Sequence, residues 1–237
     1  MLSIFCPYRN RPGFYEDFVY HYRKYYPLTR IYMLEQDDDS PFKRGQLMNA
    51  GFKYLIDNNV FMENILFVDV DIRLKYRINF QGLLEEHKTL IIPFNHLSLY
   101  TLESKGVYIP LNKPSYFLDT PDGGVTLFTK DMFMKCGGFS NLYIGWGIED
   151  TDLLRRVSKV TRVENEMIHL EHNRSAEWQS EGFKRNKKIN ALQLPSSMDG
   201  FRQTTSEIIM NEIEENIFHL KIKNIGVVED YVYISKM

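Results

Sequence analysis

The sequence predicts an α/β fold built on a parallel sheet with helices on both faces, and three observations carry that prediction. Short apolar runs rich in β-branched or aromatic residues recur early, at Ser3 to Cys6, Ile31 to Leu34 and Ile65 to Val68. Segments with helical spacing separate them. The length, 237 residues, suits one large domain with at most a short appendage.

Taken in order, the first run reads as a central strand, and Phe14, Phe18, Tyr22 and Tyr25 then mark one face of a helix. The second run is the next strand, Leu47, Gly51 and Leu55 mark the next helix, and the third run closes a β-α-β-α-β opening. Leu90 to Phe94 and Val125 to Phe128 read as further strands. The stretch from Asn95 to Asp122, with Pro110, Pro114 and Pro121, reads as long loops rather than a second domain. Ser175 to Asn190 is polar and basic, a solvated helix. The tail predicts a helical stretch near Ser206 to Glu215 and strands at Phe218 to Ile222 and Tyr231 to Ile234. The expected organisation is a main domain over 1–195 and a small helix-and-β appendage over 196–237.

Bulk composition excludes several classes. With 29 basic and 31 acidic residues the formal charge is −2, so nothing points to nucleic acid. Cys6 and Cys136 are far apart in apolar surroundings and form no CxxC, which predicts reduced, buried thiols rather than a zinc or redox site. No window reaches the roughly 18 consecutive apolar residues of a membrane span, and the opening residues have no basic leader pattern. The expectation is a cytoplasmic protein that meets any membrane-borne substrate from the side, with the basic stretch Lys184 to Lys188 as a peripheral contact.

In open parallel sheets, ligands lie beyond the carboxyl ends of the strands, where the strand order reverses. Those ends carry Pro7-Tyr8-Arg9-Asn10-Arg11, Glu35-Gln36-Asp37 and Asp69-Val70-Asp71. The aspartate pair follows a buried strand, and period-two alternation predicts both carboxylates on one side. One would then hold a metal and the other a sugar or ribose hydroxyl, although an isolated pair of this kind also simply ends a strand. Met167-Ile168-His169-Leu170-Glu171-His172 brings two imidazoles, and carboxylate with imidazole and diphosphate oxygens suits Mn²⁺ or Mg²⁺ better than zinc. Either His169 or His172 closes such a coordination.

Gly145-Trp146-Gly147 offers an indole face to a sugar on a permissive backbone, a lid in one reading and a buried turn in another. Glu149-Asp150-Thr151-Asp152 then enters an apolar helix, whose N-terminal dipole favours ionised carboxylates and so suits a general base. Tyr8, Arg9 and Arg11 suit stacking on uracil and pairing with diphosphate oxygens, and Arg44, after Phe42-Lys43, does likewise. Gly123-Gly124 lets a backbone approach an acceptor closely. Together these residues are what metal-dependent transfer of a sugar from a nucleotide diphosphate requires.

Set in order, the motifs resemble the beta-1,4-galactosyltransferase family, glycosyltransferase family seven, over roughly residues 3 to 180. They are PYRNR (Pro7 to Arg11) for the family's PFRxR, FKRGQLMNAGF (Phe42 to Phe52) for FNRAxLxNxGF, DVD (Asp69 to Asp71), GGV (Gly123 to Val125), GWGIEDTD (Gly145 to Asp152) for GWGxEDDD, and the histidines that follow. The resemblance implies a GT-A type, Rossmann-like nucleotide-sugar-binding sheet, a UDP-sugar donor, Mn²⁺ and inversion at the anomeric carbon. It implies that Pro7, Tyr8, Arg9, Arg11, Phe42 and Arg44 hold UDP and that Asp71 with His169 or His172 binds the metal. It further implies that Asp69 touches the donor, Trp146 lies over the sugars, Gly124 lines the acceptor side, and Asp150 is the base with Glu149 beside it.

Three departures leave specificity open. Thr151 replaces an acidic residue that in the family helps hold the acceptor, Pro121 stands where an aromatic residue discriminates donors, and the histidine spacing allows two alignments. The expected activity is transfer of galactose or N-acetylgalactosamine to a glycan or lipid-linked oligosaccharide in cell-surface polysaccharide synthesis. The alternatives are a chondroitin-polymerase-like transferase of N-acetylgalactosamine or glucuronic acid, and a non-catalytic UDP-sugar or glycan-binding module.

Overall fold

The computed structural model describes residues 1–87, 90–111, 116–117, 124–145, 147–171, 180–193 and 199–227. Its elements are β1 (Leu2–Tyr8), α1 (Pro12–Tyr25), β2 (Arg30–Gln36), α2 (Arg44–Asp57), β3 (Asn64–Val68), β4 (Ile72–Leu74), α3 (Phe80–His87), β5 (Leu90–Ser104), β6 (Val107–Pro110) and β7 (Tyr116–Phe117). They continue with β8 (Val125–Thr129), α4 (Lys130–Cys136), α5 (Glu149–Arg156), β9 (Val160–Leu170), α6 (Glu181–Leu192), β10 (Thr204–Glu214) and β11 (Ile217–Val227).

One mixed sheet runs in the order β10-β11-β2-β1-β3-β8-β5-β9-β4, with β6 and β7 paired to β5. The β-α-β-α-β opening holds: β1 pairs in parallel with both β2 and β3. Alternation along these strands builds two cores. Phe5, Tyr32, Leu34, Ile65 and Phe67 pack with α2 and α4 on one face, whereas Ile4, Cys6, Ile31, Met33, Leu66 and Val68 pack with α1 and α3 on the other. Both cysteines are free and buried. Because α1 carries the chain from β1 to one neighbour and α2 returns it to the other, the strand order reverses at β1, and a crevice opens above the ends of β1 and β3.

Three elements differ from expectation. The helix predicted over Ser206 to Glu215 is the strand β10, which pairs antiparallel with β11 through a turn at Asn216, a residue at φ 62. Its local sequence tolerates a helix, but β11 is itself paired in parallel with β2 and presents a second edge to be satisfied, so sheet pairing overrides propensity. The hairpin therefore extends the main sheet. The loops predicted from Asn95 are in part strand: β5 continues to Ser104 because its backbone pairs with β9 from Leu90↔Val160 to Tyr100↔Leu170. It then folds back at Gly106, φ 78, into β6. Asp69-Val70-Asp71 does not continue the alternation of β3; it is a turn closed by the Ile72 amide donating to the Asp69 carbonyl at 3.0 Å. The polar helix is α6, capped by the Ser180 hydroxyl, which accepts from the Phe183 amide at 3.1 Å. The strand predicted at Tyr231 to Ile234 lies outside the described residues.

Candidate active site

The crevice gathers residues from five separate segments. At the end of β1, Pro7 is still paired in the sheet, while Asn10, at φ 53, turns the chain into α1, whose first residue is Pro12. Arg9 lies over the Phe42 ring, its guanidinium carbon 5.6 Å from the centroid, and donates to the Ser40 carbonyl. The Phe42 carbonyl in turn accepts from the Gly145 amide at 2.9 Å, which fastens the rim loop to the start of the Gly145–Gly147 segment.

Arg44, the first residue of α2, is buried and forms the hub. Its Nε donates to Asp69 Oδ1 at 2.7 Å, and its Nη1 reaches Asp150 Oδ1 at 2.6 Å and Glu149 Oε1 at 3.4 Å. Glu149 and Asp150 open α5, as the acidic run predicts, and Ile148 before them sits at φ 80. The two acids differ in access: the side chain of Asp150 is 21% exposed and that of Glu149 is 7% exposed. Burial, and then the neighbouring Asp150 charge, raise the Glu149 carboxyl to about 8 against the opposing pull of Arg44. Burial also raises Asp69; Arg44 opposes this, and Asp71 and Asp150 reinforce it. One guanidinium faces three carboxylates, so the cluster retains a proton that exposed acids would release.

A second group lies alongside. Asp71 Oδ2 is 3.3 Å from Arg11 Nη1 and 3.6 Å from His169 Nε2, and both Asp71 and His169 are buried. The separation lets one cation touch both the carboxylate oxygen and the imidazole nitrogen, and this hard oxygen with borderline nitrogen fits Mn²⁺ or Mg²⁺. Among the described residues no group of three or more His, Cys, Asp and Glu gathers for an ion. A two-ligand protein set suits a cation that completes its shell with water and substrate phosphate oxygens. The backbone fixes Asp71, whose carbonyl accepts from the Leu170 amide at 2.8 Å beside His169. Gly124 accepts from the Asp69 amide at 2.9 Å, and a Cβ there would lie 2.4 Å from Ile72 Cδ1, so glycine lets this chain pass close behind the turn.

Of the residues singled out from the sequence, Arg11, Arg44, Asp69, Asp71, Glu149, Asp150 and His169 come together, with Arg9, Phe42 and Gly124 at the margin. Tyr8 closes β1 at the same strand end, its hydroxyl donating to Glu35 Oε1 at 3.0 Å. Trp146 and His172 lie outside the described residues. Sequence reasoning missed His219, whose Nε2 is 2.8 Å from Glu35 Oε2, and Tyr15, whose ring lies 5.4 Å from that of Tyr8. Glu35 was legible as a strand-end acid; His219 belongs to a strand whose place in the sheet no local pattern announces.

A family profile described as the N-terminal domain of galactosyltransferase matches residues 106–174. The mouse (Mus musculus) beta-1,4-galactosyltransferase 6 is 27% identical over 97% of this chain and 59% of its own length. The zebrafish (Danio rerio) beta-1,4-galactosyltransferase 5 is 30% identical over 84% of this chain and 50% of its own. The human (Homo sapiens) beta-1,4-galactosyltransferase 3 is 26% identical over 89% and 52%. The chain thus spans between half and three-fifths of the length of these relatives. Among solved structures, a Drosophila beta-1,4-galactosyltransferase 7 variant in complex with manganese, UDP-galactose and xylobiose superposes with a TM-score of 0.63 at 19% identity, covering 97% of this chain and 95% of that one. That likeness establishes the GT-A fold.

Proposed function

Because the chain belongs to the beta-1,4-galactosyltransferase family, we propose that it transfers a hexose, galactose or N-acetylgalactosamine, from a UDP-sugar to a hydroxyl of a glycan acceptor. The observation that carries the reading is the Arg44 hub, which joins the acid of the β3 turn to the two acids of α5 beside the Asp71–His169 pair. Asp150, the more accessible acid of α5, takes the proton from the acceptor hydroxyl as that oxygen attacks the anomeric carbon from the face opposite the diphosphate. Arg44 aims the Asp150 carboxylate, and Glu149, enclosed beside it on the same guanidinium, has its carboxyl raised by burial. Arg9 and Arg11 at the β1 end pair with the diphosphate oxygens in this reading. Asp71 and His169 would hold Mn²⁺, which would supply positive charge against the diphosphate of the leaving UDP.

The test is UDP release from a panel of UDP-sugars, with Mn²⁺ and with chelator. Release from one donor, lost on chelation and in Asp71→Ala, supports the assignment and names the sugar. Asp150→Asn is expected to lower transfer by about 10²- to 10⁴-fold while UDP still binds. Unchanged turnover in that variant would remove Asp150 from the role of base. Tight UDP binding by the wild type with no release from any donor and no transfer to any acceptor favours a binding module instead.

We extend the proposal to cytoplasmic work on cell-surface glycan precursors, with lipid-linked oligosaccharides among the acceptors. The support is α6, where Lys184, Lys187 and Lys188 are exposed on a helix of the kind that rests on anionic surfaces. Among the described residues no helix is long and apolar enough to cross a membrane. Sedimentation with anionic vesicles, weakened by salt and by Lys→Gln changes on α6, is the expected result; no sedimentation argues against this extension alone.

A further inference from the structure

We infer that His219, on the C-terminal hairpin, is a positioning residue of the donor site, acting through Glu35 to fix Tyr8 as part of the wall against which the nucleotide base rests. This inference rests on the donor-site reading above. Glu35 stands at the carboxyl end of β2 in register with Tyr8 at the end of β1. Its carboxylate accepts from both sides: Tyr8 Oη donates to Oε1 at 3.0 Å, and His219 Nε2 lies 2.8 Å from Oε2. A carboxylate only accepts, so the imidazole donates through Nε2. The three rings pack as a unit, with Tyr8 and Tyr15 centroids 5.4 Å apart, Tyr15 and His219 5.8 Å, and Tyr8 and His219 6.2 Å.

The side chains of His219 and Glu35 are only 15% and 17% exposed, so the pair sits at the base of the rim rather than in solvent. A tyrosine ring held at its hydroxyl and on its flank loses the freedom to swing, and a planar ligand then meets a surface already in place. The same strand also braces the loop that follows β2. The Asp37 amide donates to the Ile222 carbonyl at 2.9 Å, Lys223 Nζ lies 3.1 Å from Asp37 Oδ2, and Lys43 Nζ donates to the Ile225 carbonyl at 2.8 Å. Strand β11 thus supports both Tyr8 and the loop that carries Phe42. This ties a segment that reads as an appendage to recognition of the base.

The experiment is calorimetric titration of the full chain with UDP and with GDP in Mn²⁺, alongside the thermal midpoint of each variant. His219→Leu is expected to weaken UDP binding by about tenfold and to narrow the preference for UDP over GDP. His219→Gln, whose amide nitrogen reaches about where Nε2 stands, is expected to restore both values towards the wild type. A hairpin that is merely structural lowers the midpoint without changing the preference between the two bases. Wild-type affinity and preference in His219→Leu overturn the inference, as does a glutamine variant as impaired as the leucine one. Should the leucine variant fail to fold, Glu35→Gln carries the same expectation from the other side of the hydrogen bond. A wild-type chain that binds no UDP overturns the donor-site reading itself, and the inference with it.

Discussion

Arg44 cannot neutralise Asp69, Glu149 and Asp150 together, and that imbalance sets how the site titrates. Burial and the Asp150 charge lift Glu149 from its ordinary 4.5 to about 8, with Arg44 opposing. Its folded value lies above its unfolded one, so the native chain keeps a proton that the unfolded chain releases. Stability therefore falls as pH climbs from about 4.5 towards about 8 and levels off beyond. Glu149→Gln removes the titration while keeping the size of the group. Urea unfolding at about pH 5.5 and about pH 8.5 is expected to show the wild type losing on the order of a few kcal/mol, and the variant markedly less. Parallel pH dependences would mean that Glu149 is already ionised at the lower pH. At this scale the sequence reveals the acids and Arg44 as members of separate motifs, but not that a single guanidinium joins them. It also conceals the bond between Glu35 and His219, because the two are 184 positions apart and nothing local to either requires the other.

Elements whose side chains alternate between two cores were legible, because burial on both faces imposes an apolar run that local sequence must supply: β1, β2, β3 and β8 all read correctly. The far part of β5 and the whole of β10 were not, since main-chain partners on β9 and β11 define them, and their side chains carry little pattern. The join between the hairpin and the body of the domain depends on a close backbone approach. A Cβ on Gly200 would lie 2.0 Å from the Gly137 carbonyl oxygen, which already accepts from the Phe201 amide at 2.8 Å. Backbone cannot swing aside as a side-chain tip can, and Phe201 beside it is locked into the core against Phe52 and Phe133. Gly200→Ala is therefore expected to cost about 2–3 kcal/mol, read as a lower urea midpoint. Gly124→Ala meets only the tip of Ile72 and should cost less. Equal losses would mean that the chain at Gly137 yields as readily as a side chain does.

Across the whole molecule, the crevice depends on a buried ion pair behind it that no motif predicted. Arg73 is fully buried; its Nε donates to Asp17 Oδ2 at 2.7 Å, its Nη1 to the Val70 and Ile72 carbonyls at 2.9 and 2.8 Å, and its Nη2 to the Phe14 carbonyl at 3.0 Å. Asp17 in turn accepts from the Gly106 amide at 2.7 Å and from the Tyr108 hydroxyl. Three segments distant in sequence, α1, the Asp69–Asp71 turn and the β5–β6 hairpin, thus share one pair of charges. Removing one partner strands the other without solvent, which typically costs about 3–5 kcal/mol, whereas removing both leaves no orphan charge. Asp17→Leu and Arg73→Met are each expected to lower stability by about that amount, and the double variant by clearly less than the sum. A urea-based double-mutant cycle measures the difference, and strict additivity would mean that the pair is not coupled. Because Arg73 grips the turn through the Val70 and Ile72 carbonyls, Arg73→Met should also weaken Mn²⁺ binding, while Asp17→Leu, which leaves those two bonds in place, should do so less. That ordering separates support of the turn from general loss of stability, since the two single changes cost similar folding energy but differ in what they release beneath Asp71.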